Sequence, residues 1–493
     1  MRIFKHLLPV FIGLTLLTAC SGKSKGREVR TYVSAFLKEN PTIVAFGKAD
    51  LSAILEKADY RNIPKLNVLL TDEVNQFNKS LDMKTPVHFA LEGPFDPKGT
   101  PATVYAFMDV RNADSLVDKL TSLGLNVEES GDLQVALNGD IAIGVRNDLA
   151  ILISKKGTYD GKALLAAAFE KTTGDESGGK TDQILKEKAD IVIGTSLQNL
   201  YATSNTDLSK LNETKQKELQ ALVADSYLQT AFRFEKGQAV IETENLLSDA
   251  LQRRMFFGQD NSADILNKLG KGKARLGLAM NLDMEKIESF MDDFAPEFKQ
   301  QLTKSNFQLQ IAMATLGDKP FTNLLSGKLG FVMVGDALKD GSITPEINFH
   351  VGLGKKGKSL ADLALGFFSM ESGAKSADGS FSYSGMDFRI NEQEVTGNTK
   401  NAGAGVNTLI IPQGGENFGK AGITGFMNLE GLDIRAFGFS DGAKALNAVS
   451  YISLTADNKG SRILIKGRND HENILKQIVN VYLQDIQSQI GAI

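Results

Sequence analysis

Four times along the chain a short apolar strand pattern runs into a polar residue followed by Leu. The copies read Ile43-Val44-Ala45-Phe46 to Asp50-Leu51, Ile191-Val192-Ile193 to Ser196-Leu197, Leu276-Gly277-Leu278 to Asn281-Leu282, and Ile423-Thr424-Gly425-Phe426 to Asn428-Leu429. Asp, Ser and Asn open helices because their side-chain oxygens accept from free backbone N–H groups. Three copies continue with helix-compatible residues, as in Leu51, Ile54, Leu55 and Ala58 on one face; the fourth contains Gly431 and reads poorly as a helix.

The spacing forms a grid. Asp50 and Asn281 are 231 positions apart (281 − 50), and Ser196 and Asn428 are 232 apart (428 − 196). Val104-Tyr105-Ala106-Phe107 leading to Ser115-Leu116 has a counterpart in Ile347 to Val351 leading to Ser359-Leu360. Ala231 to Phe234, turning at Lys236-Gly237 into Ala239-Val240-Ile241, matches Tyr451 to Leu454, turning at Lys459-Gly460 into Ile463-Leu464-Ile465. Both alternate and both turn at a Gly, which is a β-hairpin signal. A repeat of this kind predicts two homologous halves, 30–250 and 255–493. The fold expected is α+β and internally duplicated, with antiparallel sheets and amphipathic helices packed on one face. A final helix from His471 to about Gln489 presents Ile474, Ile478, Val481, Tyr482, Leu483 and Ile486 to a core. Gly/Ser/Asn-rich loops fall at 173–180, 371–380 and 396–406.

The first residues follow a different pattern. Arg2 and Lys5 precede the apolar run Leu7 to Leu17, which is too short to span a bilayer and has signal-peptide length. It ends in Leu17-Thr18-Ala19-Cys20, the pattern of a lipoprotein precursor. The reading is a signal peptide over 1–19, lipidation of Cys20 by thioether formation, and a flexible basic tether over 20–29. Two or three acyl chains would hold such a chain stably on a membrane. By resemblance to well-studied lipoproteins, Ser21 after the Cys permits sorting to the outer membrane. The basic tether, Lys23 to Arg27, argues for the periplasmic side.

Composition narrows the function. The 493 residues are 42% apolar, with 55 Lys+Arg against 59 Asp+Glu and a net charge of −4. That excludes a disordered or collagen-like chain, a polytopic membrane protein and a dedicated nucleic-acid binder. The single Cys allows no internal disulfide, and four His leave little material for a metal site. Gly352-x-Gly354-x-x-Gly357 fits a dinucleotide loop locally, but no second parallel strand ending in Asp or Glu follows. Gly414 to Ala421 mimics a phosphate loop without the final Ser/Thr, and it leads into a strand. His88 and His350 read as strand histidines, and there is no G-x-S-x-G elbow. Asp292-Asp293 and Glu285/Glu288 read as a solvated helix face, and Lys271-Gly272-Lys273 and Lys355-Lys356 as solvated loops.

The Cys20 motif, the strand leading to Asp50-Leu51, and Gly144 to Asp148 with Leu149-Ala150-Ile151-Leu152 resemble, in this order, a family of Bacteroidota lipoproteins catalogued as domain of unknown function 4836. Leu325-Ser326-Gly327 before a strand fits the same pattern. The resemblance implies an extracytoplasmic lipoprotein and brings no catalytic residue. The expected role is a non-catalytic envelope lipoprotein that binds a partner protein or forms a scaffold, with no cofactor, metal or nucleic acid. The alternative is a carrier for a lipid or other apolar ligand, suggested by 28 Phe and the clusters Met255-Phe256-Phe257 and Phe367-Phe368-Ser369-Met370.

Overall fold

A computed structural model describes residues 28–490, apart from 64–66, 68–76, 175–177, 204–211, 259–261, 297–310, 312–313, 336–345, 364–379, 400–407 and 433–440. Cys20, the signal sequence and the Phe367 to Met370 cluster lie outside the described residues, as do nearly all of 371–380 and most of 396–406. The chain mixes helix with a large amount of antiparallel strand. It divides into two compact units. The first comprises residues up to Asp207, Val223–Ser248 and Asn469–Leu483; the second comprises Leu208–Leu222, Asp249–Arg468 and Gln484–Ile493. The units are therefore not simple halves of the chain.

The first unit holds β1 (Ile43–Ala49), β2 (Val87–Glu92), β3 (Thr103–Asp109), β4 (Val127–Ser130), β5 (Leu133–Asn138), β6 (Ile141–Arg146), β7 (Leu149–Lys155), β8 (Ile191–Ser196), β9 (Tyr227–Glu235) and β10 (Gln238–Leu246). They pair antiparallel in the order β4-β5-β6-β7-β3-β2-β1-β8-β9-β10. Successive side chains of a strand point to opposite faces, so each face collects every second residue. One face carries Phe46, Tyr105, Phe107, Ile151 and Ile153, packed with Val33 and Phe36 of helix Val29–Lys38 and Leu165 of helix Gly161–Glu170. The opposite face carries Val87, Ala106, Val145 and Ala150, packed with Leu116 and Leu120 of helix Ala113–Ser122. Helices thus cover both faces here, which differs from the one-face arrangement expected. The reason is visible in β3 and β7, where the alternate set (Ala106, Ala150) is also apolar and needs cover of its own.

The second unit holds β11 (Lys271–Asn281), β12 (Leu325–Val334), β13 (Glu346–Leu353), β14 (Ser380–Tyr383), β15 (Met386–Ile390), β16 (Glu394–Thr399), β17 (Thr408–Ile410), β18 (Ile423–Asn428), β19 (Val449–Asp457) and β20 (Gly460–Gly467). The antiparallel order is β14-β15-β16-β13-β12-β11-β18-β19-β20, and β17 adds a short parallel pairing with the start of β11. Among the described residues its buried cluster comprises Ile265, Leu269, Ala274, Ala279, Val332, Val334, Phe418 and Phe426. On the other face Leu276, Leu278, Met280, Leu329, Phe331, Met333, Ile347, Phe349 and Val351 form a three-by-three block across β11, β12 and β13, and all are only half-buried.

The cap residues divide. Asp50 Oδ1 accepts from Ala53 N at 2.9 Å and Ser196 Oγ from Asn199 N at 3.2 Å, so both open helices as expected. Asn281 does not; β11 runs through it and Asp283 caps helix Met284–Phe294 instead, accepting from Lys286 N. Asn428 accepts from Glu430 N in a turn.

Candidate functional site

The second unit contains a hollow of about 640 Å³, in the size range of small-ligand pockets. Strand alternation builds it. Asn348 and His350 of β13 share a face, and register extends that face outward in two rows. One row runs Asn348, Asn398, Asp387, Ser382 and the other His350, Thr396, Arg389, Ser380, each crossing β13, β16, β15 and β14. Asn267 and Lys268 border the hollow from the turn before β11.

Two registers explain why this face is unusual. Stepping outward across neighbouring strands from Gly277 of β11 gives Val332, Asn348, Asn398 and Asp387. The same walk from Phe46 of β1 gives Ala90, Tyr105, Ile153 and Ala142. One step along, Ala279 leads to Gly330, His350, Thr396 and Arg389, whereas Lys48 leads to His88, Phe107, Ile151 and Gly144. Where the first unit has packed aromatic and branched side chains, the second has amides, hydroxyls, an imidazole and a guanidinium.

Charge on this face is organised around Lys268. Its Nζ lies 2.6 Å from Glu394 Oε2 and 2.9 Å from Asp264 Oδ1, while Lys328 Nζ is 3.0 Å from Asp264 Oδ2. Hydrogen bonds from Lys268 and Lys328 hold the Asp264 carboxyl down at about 2. Burial pushes Glu394 up, but the Lys268 hydrogen bond and charge outweigh it and the net direction is down. Glu394 Oε2 also meets His350 Nε2 at 3.1 Å. His350 is 1% exposed, and burial together with the Lys268 charge moves its pKa below the usual histidine value. Two buried polar atoms here have no hydrogen-bond partner among the described residues, His350 Nδ1 and Asn348 Oδ1. Asn348 is 2% exposed and uses its amide nitrogen on Leu269 O at 2.9 Å. The arrangement offers donors and acceptors in close array.

The residues singled out from sequence lie elsewhere or serve the fold. Gly352, Gly354 and Gly357 let their strand end and turn approach helix Pro320–Leu324 and the start of β12. A Cβ at Gly354 would fall 2.3 Å from Thr322 O, and one at Gly357 2.5 Å from Leu324 O. In the phosphate-loop mimic the backbone N–H groups are already used: Gly414 N donates to Glu416 Oε2 at 3.0 Å and Gly419 N to Thr424 Oγ1 at 2.7 Å. His88 is buried, its Nδ1 is 3.0 Å from Pro86 O, and burial followed by the Lys48 charge pushes its pKa down to about 3. The helix carboxylates are not a free face. Asp293 pairs with Lys215 and Arg254, and buried Glu288 accepts from Thr322 N at 2.9 Å. Lys356 Nζ donates to Thr315 O. Phe256 is partly exposed and packs with its ring tilted against Phe257, centroids 5.2 Å apart, and the Phe257 backbone is clamped by Asn458. Cys20 lies outside the described residues. Asn348, Asp387, Arg389, Thr396 and Asn398 escape sequence reasoning, because a polar set with period two reads as a solvent face.

No family model matches the chain, and no curated protein matches it. Among solved structures it is similar to crystal form I of TP0453, at 9% identity over 43% of this chain and 80% of that one, with a TM-score of 0.26. Crystal form IV of TP0453 gives 8% identity over 41% and 76%, with a TM-score of 0.25. At these scores the likeness carries no argument about fold or role.

Proposed function

We propose that the chain is a non-catalytic envelope lipoprotein, lipidated at Cys20 on the periplasmic side of the outer membrane, that binds a partner protein. The observation that carries this reading is the block of nine apolar side chains across β11, β12 and β13. They project from one sheet face and stay half-buried. Contiguous apolar surface of this kind marks interaction sites. Among the described residues no helix is long and apolar enough to cross a membrane, which fits attachment through acyl chains. The hollow described above carries many polar groups beside Leu269, Phe381 and Phe388, and so large a polar share speaks for a protein partner over an apolar cargo.

The chain arose by internal duplication, and the face left half-buried in the second unit is the one that helix Ala113–Ser122 covers in the first. The matching strand orders and the 231- and 232-residue spacings support the duplication. One detail supports it further. Phe46 of β1 faces Gly194 of β8, and at the corresponding register Gly277 of β11 faces Phe426 of β18. The aromatic and the glycine have exchanged strands, yet each ring still lies over the glycine, within 3 Å of where a Cβ would be.

The test is photocrosslinking in the native envelope, with a photoreactive phenylalanine analogue at Phe331. A discrete protein adduct that disappears when Met333→Asp is added to the same face supports the reading. A lipid-sized adduct in its place, seen also by native mass spectrometry of the Cys20→Ser mature chain, overturns it in favour of the carrier.

A further inference from the structure

We propose that the polar hollow of the second unit binds an uncharged, polyhydroxylated ligand, that is, a neutral carbohydrate. Four observations converge on it. First, the hollow stands where the first unit builds core: Asn348, His350, Thr396 and Asn398 occupy the places of Tyr105, Phe107, Ile151 and Ile153. Of these, Asn348 and His350 are buried, where polar side chains cost stability unless something hydrogen-bonds them, while Thr396 and Asn398 are partly exposed at the hollow. The sheet itself does not need them, since the same order folds with apolar residues there.

Second, the hydrogen-bond inventory is incomplete. Asn348 Oδ1, on a side chain 2% exposed that lines the hollow, has no partner among the described residues. A buried acceptor without a protein partner is satisfied by a water or by a ligand group entering beside it. Third, the lining is two-sided in hydrogen bonding. Amides (Asn348, Asn398, Asn267) and hydroxyls (Ser380, Ser382, Thr396) each donate and accept, and so does every hydroxyl of a sugar. Fourth, the charges balance. Lys268 is held by Glu394 and Asp264, and the other cation of the described lining, Arg389, sits two residues from Asp387. No net field selects an ion; Arg389 can bridge paired sugar hydroxyls, and Asp387, whose Oδ1 accepts from Ser382 Oγ, keeps its other oxygen for one more.

The experiment is isothermal titration of the Cys20→Ser mature chain against a panel of neutral oligosaccharides and, in parallel, oligouronides of the same lengths. Soluble peptidoglycan fragments form a third arm, which separates free sugar from wall glycan as the source. The proposal expects at least one neutral oligosaccharide to bind. It also expects Arg389→Ala, at an exposed strand position, to weaken binding by about tenfold, the worth of roughly one lost hydrogen bond to a charged group. Thr396→Val should act in the same direction. Circular dichroism checks that each variant is folded, so Arg389→Ala keeps the test alive if Thr396→Val does not fold. Three results overturn the proposal: no neutral sugar binds, only oligouronides bind, or binding is unchanged in both folded variants.

Discussion

The two units use one strand order and fill it differently. In the first, Phe36 packs against Tyr105 and Phe107 with ring centroids 4.9 and 5.1 Å apart, and both sheet faces carry buried clusters. In the second, the corresponding strands carry amides and hydroxyls, and a hollow replaces the aromatic stack. The order of pairing is thus compatible with either filling. What changes is the chemistry of the face: apolar residues there secure the first unit's fold, whereas the second unit gives up that packing for hydrogen-bonding groups at some cost in stability.

Substitutions can break that contrast, and the largest effect belongs to the first unit. Phe107 is fully buried. Phe107→Ala should cost about 3–5 kcal/mol in urea unfolding followed by circular dichroism, from lost transfer energy and the cavity left behind. A loss under about 1 kcal/mol would mean the aromatic stack is not a main support of this unit.

Acid sharpens the comparison next. His88 in the first unit has a folded-state pKa of about 3, below its unfolded value of 6.5. As pH falls below 6.5 the unfolded chain takes up the proton first, so stability present above that pH is lost on the way down. The slope from this one group approaches about 1.4 kcal/mol per pH unit. His350 in the second unit is shifted in the same direction, but Glu394 at 3.1 Å pulls it back. His88→Asn should therefore flatten the limb between about pH 5 and 6.5 more than His350→Asn does. Equal flattening would show that the two buried histidines are equivalent.

The smallest effect comes from Thr396→Val, which gives the polar row the kind of side chain its counterpart Ile151 supplies in the first unit. It should move stability by less than about 1 kcal/mol, because Thr396 lines a hollow instead of a packed core. The reverse change, Ile151→Thr, buries a hydroxyl in a closed core and should cost clearly more on the same unfolding assay.

Much of the architecture is legible in the sequence, and the failures have physical causes. The strand-to-cap units at Asp50 and Ser196, and the hairpins closing at Gly237 and Gly460, follow from local chemistry that the fold respects. Asn281 misleads because a residue that can cap a helix also fits a strand end, and the extended pairing of β11 wins. The polar hollow is invisible for a deeper reason. Alternation shows that Asn348 and His350 share a face, but the partners of that face, Thr396, Asn398, Asp387 and Arg389, are brought beside it by pairings between distant segments. The three glycines at 352, 354 and 357 look like ligand chemistry and are explained by close approach of the chain: β12 at Gly352, and the backbone of helix Pro320–Leu324 at Gly354 and Gly357.

The discontinuity of the first unit makes its integrity depend on a stretch of chain that belongs to the second. Ile474 is fully buried, Asn473 Nδ2 donates to Phe234 O, and Gly237 N donates to Glu472 O, so the β9–β10 turn is pinned by residues close to the carboxyl end. The clasp joins residues 239 positions apart, with Asp249–Arg468 of the second unit lying between them in the chain. A single cut anywhere in that stretch would therefore sever the first unit's hairpin from the segment that holds it.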